Sequence, residues 1–547
     1  MQWHKKAFSL LCCLILTWNT LAQVVYEPTY HTVYPYLSRL AQKGVIELDD
    51  VVLPLSKDYI YKKLDELSKN ITALTPLERE ELAFYLKEYT LWWRKDPKSG
   101  FEGEYKSLFK TKIGDRFRFL SYQDDNFTVN VQPIVGQQFQ SVDGNPLSQF
   151  TYGVWGYGYI GKYIGFSLDF KANKLKGLYE GYDYLQKFSP QTGVIGVRSG
   201  NVYDFNETNV NVTGKWKWGS ATIGKNYMPI GYGVSNKIIL SQKAPSFPQI
   251  RLDISPVKWL SVNYAHIWLN SKVVDSTKMY PTSVPGRLQY QDRAKYMAIN
   301  SLTFRPFKGA SFTMGQSSVY NDQIQLVYLI PINLFSAMNH YLGELDGNNT
   351  LSNSQLFFQL SSRNHIKKTH LYFNMFIDEL RLSGSDSSKS ARNHTAYLIG
   401  ASVADFPIKN MTITTEYTKI QPFAYVHFIP AQTYANNNYN LGSWLGPNAD
   451  NFFIQTNYRI KRGWNLTIDY EYIRKGTVGT GMDQISDKPI YPFLWGDLKE
   501  FSILSIKSQY EIIHDLFLNV GFTSQTQTSN LESRSSQSLS FGINYGF

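Results

Sequence analysis

Apolar positions recur at helical spacing from Tyr26 to about Lys95, and beyond residue 100 they recur at every second position. His31 to Lys43 sets Val33, Leu37 and Leu40 on one stripe and stops at Gly44, a residue suited to the left-handed turn past a helix end. Ser56 to Ser68 repeats the stripe with Ile60, Leu64 and Leu67. Thr75-Pro76-Leu77-Glu78 is the clearest start: an N-cap Thr, Pro in the first turn and a Glu that can reach back to the cap, leading into Leu82, Leu86 and Trp93. The pattern predicts a helical bundle within residues 23–100. A bundle of about 70 residues buries little surface alone, so it should pack against the rest of the chain. Lys95 to Gly100 reads as the linker.

After the linker the period is two. Trp464, Leu466, Ile468, Tyr470 and Tyr472 alternate with Asn465, Thr467, Asp469 and Glu471, and Leu539, Phe541, Ile543, Tyr545 and Phe547 alternate with Ser540, Gly542, Asn544 and Gly546. One face suits lipid and the other water. Short turns fall at residues 161–163, 215–218, 255–259, 305–309, 362–368, 405–409, 461–463 and 514–515. Longer polar stretches lie near 139–149, 173–206, 227–247, 271–293, 319–353, 381–391, 420–450, 474–498 and 524–534. Strict alternation of tight turns with long loops is the habit of bacterial outer-membrane barrels. These connections predict an all-β transmembrane barrel of about 18 antiparallel strands over 127–547, starting near Phe127, with 16 as the lower count. Each strand with its connection then takes about 23 residues, enough for the roughly 9 to 11 that cross a bilayer. Residues 101–126 form a lead-in segment that the pattern does not place.

Composition agrees with a sheet in a membrane. Aromatic residues make up 15% and charged residues only 18%, and a mean hydropathy of −0.30 excludes a bundle of apolar spanning helices. Residues 1–22 carry Lys5 and Lys6, an apolar stretch from Ala7 to Leu16 and a Thr20-Leu21-Ala22 cleavage site, which predicts a secretory signal peptide. Cys12 and Cys13 would leave with it, so the mature chain lacks thiol chemistry and disulfides. The net charge of +11 falls to +9 with the loss of Lys5 and Lys6. An exported chain meets no nucleic acid, so the basic excess favours anionic lipid heads or an acidic polymer.

Catalytic signatures are weak. Gly156-x-Gly158-x-x-Gly161 imitates a dinucleotide fingerprint, yet its glycines interleave with Trp155, Tyr157 and Tyr159 inside a strand pattern with no helix after it. Glycines facing an aromatic girdle are the better account. The histidines show no HExxH spacing, and neither a metal site nor a cofactor is expected. Asp378-Glu379, Asp469 and Glu471 read as partners for lumenal Lys and Arg rather than as acid/base pairs. The long loops differ in character: they mix aromatic rings with amides and carboxylates, the materials of a sugar site. Candidate polysaccharide contacts are Tyr439, Trp444, Asn448 and Asp450 in one loop and Tyr341, Asp346 and Asn348 in another. Trp444 is expected at a solvated loop tip.

Several stretches, taken in order, carry a family likeness: Tyr34-Pro35-Tyr36-Leu37-Ser38-Arg39-Leu40-Ala41-Gln42-Lys43-Gly44, Leu74-Thr75-Pro76-Leu77-Glu78-Arg79, Gly231-Tyr232-Gly233, Leu240 to Pro248, Tyr341 to Asn349, Phe376-Ile377-Asp378-Glu379 and Leu445 to Asp450. The sequence resembles the Wzi-type capsule assembly family. That resemblance implies an 18-stranded barrel in the outer membrane of a Gram-negative bacterium, a periplasmic helical bundle, and a lectin-like, non-enzymatic role in binding and organising capsular or surface polysaccharide. Outer-membrane lipid and, through the aromatic C-terminal Phe547, the barrel insertion machinery are the other expected partners. An outer-membrane porin or substrate-specific channel is the alternative, decided by whether the lumen is open.

Overall fold

The structure, a computed structural model, describes residues 24–89, 105–110, 116–124, 126–161, 163–179, 188–335, 337–338, 352–379, 393–479, 492–530 and 532–547. Three α-helices occur among them: α1 Val33–Gln42, α2 Lys57–Lys69 and α3 Pro76–Tyr89. Their ends follow the local chemistry read from the sequence. Gly44 takes φ +74° just past α1. Ser56 Oγ accepts the Tyr59 N–H (3.2 Å) ahead of α2, and Thr75 and Glu78 exchange side chain-to-backbone bonds of 3.3 and 2.9 Å ahead of α3. Leu37, Leu40, Ile60, Leu64, Leu67 and Leu82 form the buried core of this unit. The expected continuation to Trp93 lies outside the described residues.

The barrel strands are β1 Phe127–Val142, β2 Asn145–Ile160, β3 Ile164–Lys176, β4 Val202–Trp216, β5 Gly219–Asn226 and β6 Phe247–Val257. They continue as β7 Leu260–Pro281, β8 Leu288–Phe304, β9 Ala310–Asn321, β10 Ser352–Arg363, β11 Thr369–Glu379 and β12 His394–Ala404. The last six are β13 Met411–Ile420, β14 Ala449–Lys461, β15 Trp464–Lys475, β16 Lys499–Glu511, β17 Leu516–Ser529 and β18 Ser533–Tyr545. Every neighbour is antiparallel, and β18 pairs with β1 from Tyr545↔Val135 to Ser538↔Val142, closing 18 strands into one barrel. The count read from turn spacing is borne out, and β1 begins at Phe127. The lead-in segment contributes a hairpin, Tyr105–Lys110 with Arg118–Gln123, whose second strand extends the sheet alongside the start of β1.

All eight short turns join strands where the spacing put them. Three of the nine expected long loops are instead mostly strand: β1 and β2 run to a tight turn at Asp143-Gly144, and β7–β8 and β17–β18 form long hairpins. The outer part of the β17–β18 hairpin is polar on both faces, because sheet that stands clear of lipid has no apolar face to show in the sequence.

Alternation sorts the side chains as expected. Ile468, Tyr470, Leu504, Ile506, Leu539 and Phe541 are exposed on the outside, while Thr467 accepts a hydrogen bond from the Asn457 amide (2.8 Å) and Asp469 pairs with Lys507 (3.2 Å) on the other face. Asp378 accepts the Tyr425 N–H (2.8 Å) and a hydrogen bond from the Gln355 amide (3.1 Å). At the short-turn end Trp218, Trp259, Phe307 and Phe406 stand exposed as an aromatic girdle. Gly156 and Gly158 of the false fingerprint lie in β2, and Gly161 lies in the turn after it. Their aromatic neighbours Trp155, Tyr157 and Tyr159 point inward, however, into a buried cluster with Val25 and Ile134, rather than to a girdle. The Lys57 ammonium rests 4.5 Å from the Tyr157 ring and 5.1 Å from that of Trp155, which explains why rings are wanted on that side.

Candidate functional site

The helical unit covers the short-turn end of the barrel and is fastened by charge. Lys215 meets Asp58 (2.6 Å), Arg305 meets Asp49 (2.6 Å), Arg363 meets Asp50 (2.8 Å), Arg459 meets Glu81 (2.7 Å), and Arg39 and Lys43 meet Asp405 in the β12–β13 turn. Glu88 of α3 accepts Arg118 (2.7 Å) and lies 3.5 Å from Arg116. Burial alone would raise the Glu88 carboxyl, but Arg116, Arg118 and Lys57 hold it far below the usual range; Lys57 and His31 do the same for buried Glu27.

Two of the long connections turn inward from the other end. Residues 227–246 enter the lumen as far as the helical unit, where the Gly231 N–H donates to Val51 O and the Leu53 N–H to Pro229 O, both at 2.9 Å. Residues 421–448 pack on them. Ile230, Ile239, Tyr434 and Leu441 are fully buried against the inward side chains Ile267, Met297, Ile299 and Phe357, so apolar packing joins the inward loops to the wall from β7 to β16.

The residues named from the sequence in this loop are part of that packing. Trp444 is not at a solvated tip: it is 7% exposed, donates its indole N–H to Ser235 O (2.9 Å) and packs on Phe188 at 5.3 Å. Asn448 is fully buried, donating to Val478 O (2.7 Å) and Trp495 O (2.9 Å) and accepting from the Leu494 N–H (2.7 Å). Asp450 takes two bonds from Arg474 (3.0 and 2.6 Å) and one from Tyr417 (3.0 Å). Tyr439 donates to Val194 O (3.1 Å). A Trp-Leu-Gly-Pro-Asn string looks the same in sequence whether it turns in water or inside a barrel. Tyr341, Asp346 and Asn348 lie outside the described residues.

The open space lies along the wall formed by β3 to β6. An inner cavity of about 220 Å³ is bounded by Tyr26, Pro28, Thr29, Tyr30, Trp155 and the inward side chains Ser167, Asp169 and Lys171 of β3 and Glu207, Asn209 and Asn211 of β4. An outer cavity of about 310 Å³ lies beside the ends of β5 and β6, against Val194, Asn270, Asn436 and Asn437. Glu207 and Tyr227 line both, so the two are neighbours across one pair of side chains. Asp169 Oδ2 accepts from Tyr30 (3.4 Å), and the Lys171 ammonium sits 4.1 Å over the Tyr30 ring. Asp169 Oδ1 and Asn209 Oδ1 are buried with no hydrogen-bond partner among the described residues. Such acceptors call for a hydroxyl or water donor.

Sequence reasoning missed these side chains. Asp169-x-Lys171 and Glu207-x-Asn209-x-Asn211 carry the every-second-residue signal of a lumenal face, but nothing in one strand marks which stretch of that face borders a cavity. The outer cavity does include Asn436 and Asn437, from the amide-rich run beside Tyr439.

Over residues 333–537 the sequence matches the family described as capsule assembly protein Wzi. No curated protein matches the chain. Among solved structures it is similar to Wzi of Escherichia coli, described as an outer-membrane protein involved in group 1 capsule assembly and a carbohydrate-binding β-barrel. The TM-score is 0.56 at 12% identity, covering 96% of this chain and 100% of that one. It is also similar to Pseudomonas aeruginosa OprD (TM-score 0.41, 10% identity, 76% of this chain and 94% of that one). OpdK of the same organism, solved with vanillate, gives a TM-score of 0.41 at 11% identity, covering 76% and 98%. These last two likenesses are too distant to bear on function. By sequence, residues 333–537 are similar to the Wzi capsule assembly family, and by fold nearly the whole chain is an 18-stranded antiparallel β-barrel similar to that of Wzi.

Proposed function

We propose that this protein binds and organises capsular or surface polysaccharide at the cell surface, and that it does so by binding alone, without catalysing a reaction. The observation that carries the reading is the inner cavity, where the unpartnered acceptors of Asp169 and Asn209 stand beside the rings of Tyr30 and Trp155. A sugar ring offers hydroxyl donors to such oxygens and an apolar face to such rings. The outer cavity, rimmed by Asn270, Asn436 and Asn437, is the proposed entry. Tyr439, Trp444, Asn448 and Asp450 then serve by holding the loop that carries these amides, while Tyr341, Asp346 and Asn348 are proposed as contacts on a second outer loop.

Orientation follows from the turns. Tight turns face the periplasm in bacterial barrels, so the helical unit covering them belongs on the periplasmic side and the cavities open toward the exterior. The apolar packing of Ile230, Ile239, Tyr434 and Leu441 across the lumen favours binding over conduction. The test is retention of purified capsular polysaccharide by the detergent-solubilised protein, with glycan length measured before and after. Retention at unchanged length supports the reading. No retention, combined with steady conductance in planar bilayers, would favour the channel, and shortened glycan would make it an enzyme.

A further inference from the structure

The outer wall of β7, β8 and β9 breaks the rule that governs the rest of the belt. Inward side chains of these strands, Ala265, Ile267, Met297, Ile299 and Val319, join the lumenal core. The alternate set, which faces out, includes His266, Asn300, Gln316 and Tyr320. Asn300 and Gln316 each lie four residues from Phe304 and Phe312 at the short-turn end. That is about 13 Å along a strand and well inside an apolar band about 25 Å tall. The neighbour paired with Gln316 on β10, Leu356, is 43% exposed as a lipid-facing residue should be. Polar side chains bare at this level would cost several kcal/mol each.

They are not bare. After Asn321 the chain folds back along the outside of the barrel, and residues 322–335 lie on these side chains. The Asn300 amide donates to Pro331 O (3.0 Å) and Asn333 O (3.1 Å), and Gln316 donates to Asn333 O (2.6 Å) while accepting the Phe335 N–H (3.0 Å). Tyr264 donates to Tyr328 O (2.7 Å), and His266 bonds Tyr320 (2.7 Å) beneath. Tyr328 and Phe335 are buried on the wall. Beyond Gln323 at its start, the side chains that the segment leaves exposed are aliphatic: Ile324, Leu326, Leu329, Ile330, Ile332 and Leu334 are 43%, 77%, 38%, 49%, 80% and 65% exposed. No Asp, Glu, Lys or Arg occurs from Gln323 to Met338, and the ion pair of Asp322 with Arg293 (3.3 Å) stands at its upper end.

We propose that residues 323–335 form an external strap immersed in the outer membrane, whose occupant is the hydrocarbon of the surrounding lipid. The polar wall satisfies the strap's carbonyls, and the strap replaces that wall with an aliphatic surface. A water-facing loop would gain nothing from six exposed Ile and Leu side chains, and the lack of charge leaves no feature with which to hold a headgroup or an acidic partner.

The mature chain has no cysteine, so single labels are clean. Ile332→Cys and Leu326→Cys, each checked for heat-modifiable mobility, would carry an environment-sensitive fluorophore in proteoliposomes, with Leu539→Cys as the lipid-facing control and Val284→Cys as the water-facing one. Phospholipid brominated along the acyl chain should quench labels at 326, 332 and 539 at least threefold more than the label at 284, and iodide in the buffer should do the reverse. Quenching at 326 and 332 like that at 284 would overturn the proposal. So would protection from both quenchers accompanied by disulfide-linked dimers of the unlabelled Ile332→Cys variant, because the occupant would then be a second copy.

Discussion

Replacing Glu88 with Gln removes a carboxylate that is 1% exposed and faces Arg118 at 2.7 Å and Arg116 at 3.5 Å. Gln keeps the shape and one acceptor, so the loss is almost wholly electrostatic. Breaking a buried ion pair by removing one partner costs about 3 to 5 kcal/mol. Arg116 keeps Asp515 at 2.8 Å, which places the expected cost at the lower end, about 3 kcal/mol, or roughly a hundredfold in the population of the open state. The perturbed part is α3 and its attachment to the barrel, so the assay is native-state proteolysis of residues 24–89 in detergent, where cleavage tracks local opening. The sign of the pH dependence is fixed by the depressed carboxyls of Glu88 and Glu27. Their contribution is fully present above the unfolded Glu value of about 4.3 and is lost as pH falls below it toward their folded values. Protection should therefore hold from pH 8 to 5 and decline under pH 4, and Glu88→Gln should flatten that decline. A cleavage rate raised less than threefold, no more than for Glu66→Gln on the exposed face of α2, would refute the reasoning.

Arg at Leu466 or Ile468 should cost about 2 to 4 kcal/mol near the bilayer midplane, whereas Thr467→Arg on the lumenal face should be tolerated far better; urea midpoints in bilayers compare them. Phe547→Asp should lower the amount of inserted, heat-modifiable barrel without reducing export, read by fractionating membrane and periplasm. In the structure its ring packs beside the inward aromatics, 5.4 Å from the Lys171 ammonium. Trp444→Ala empties a buried site and should loosen the inward loop by about 3 to 5 kcal/mol. The result would be raised single-channel conductance, with barrel abundance unchanged on blots.

The strands were legible because lipid outside and polar lumen inside impose opposite demands on alternate residues. β15 shows both demands in one run from Trp464 to Tyr472. The helix starts were legible because Thr75 and Glu78 act within four residues of each other. Long-range packing left no such mark. The loop from Gln421 to Asn448 is rich in Asn, Gly and Pro as a solvated loop would be, yet its Tyr425, Tyr434 and Leu441 meet partners from residues 230–247 across the lumen. The cavity was hidden for a related reason. Asp169 and Asn209 belong to different strands and become neighbours only through the pairing Asp169↔Asn209 of β3 with β4. Polar residues on the outside of β8 and β9 likewise make sense only once the segment covering them is in place.

The central claim is that glycan is held in the space along β3 to β6. Asp169→Ala takes away a buried charged acceptor, and hydrogen bonds to charged groups contribute about 1.5 to 3 kcal/mol, so affinity for purified capsular polysaccharide should fall roughly tenfold or more. The decisive measurement is equilibrium retention of that polysaccharide by wild-type and Asp169→Ala protein at matched, fully heat-modifiable levels. The account predicts tight retention by the first and a tenfold or greater loss in the second. Equal retention by both would contradict it, placing the sugar elsewhere on the barrel.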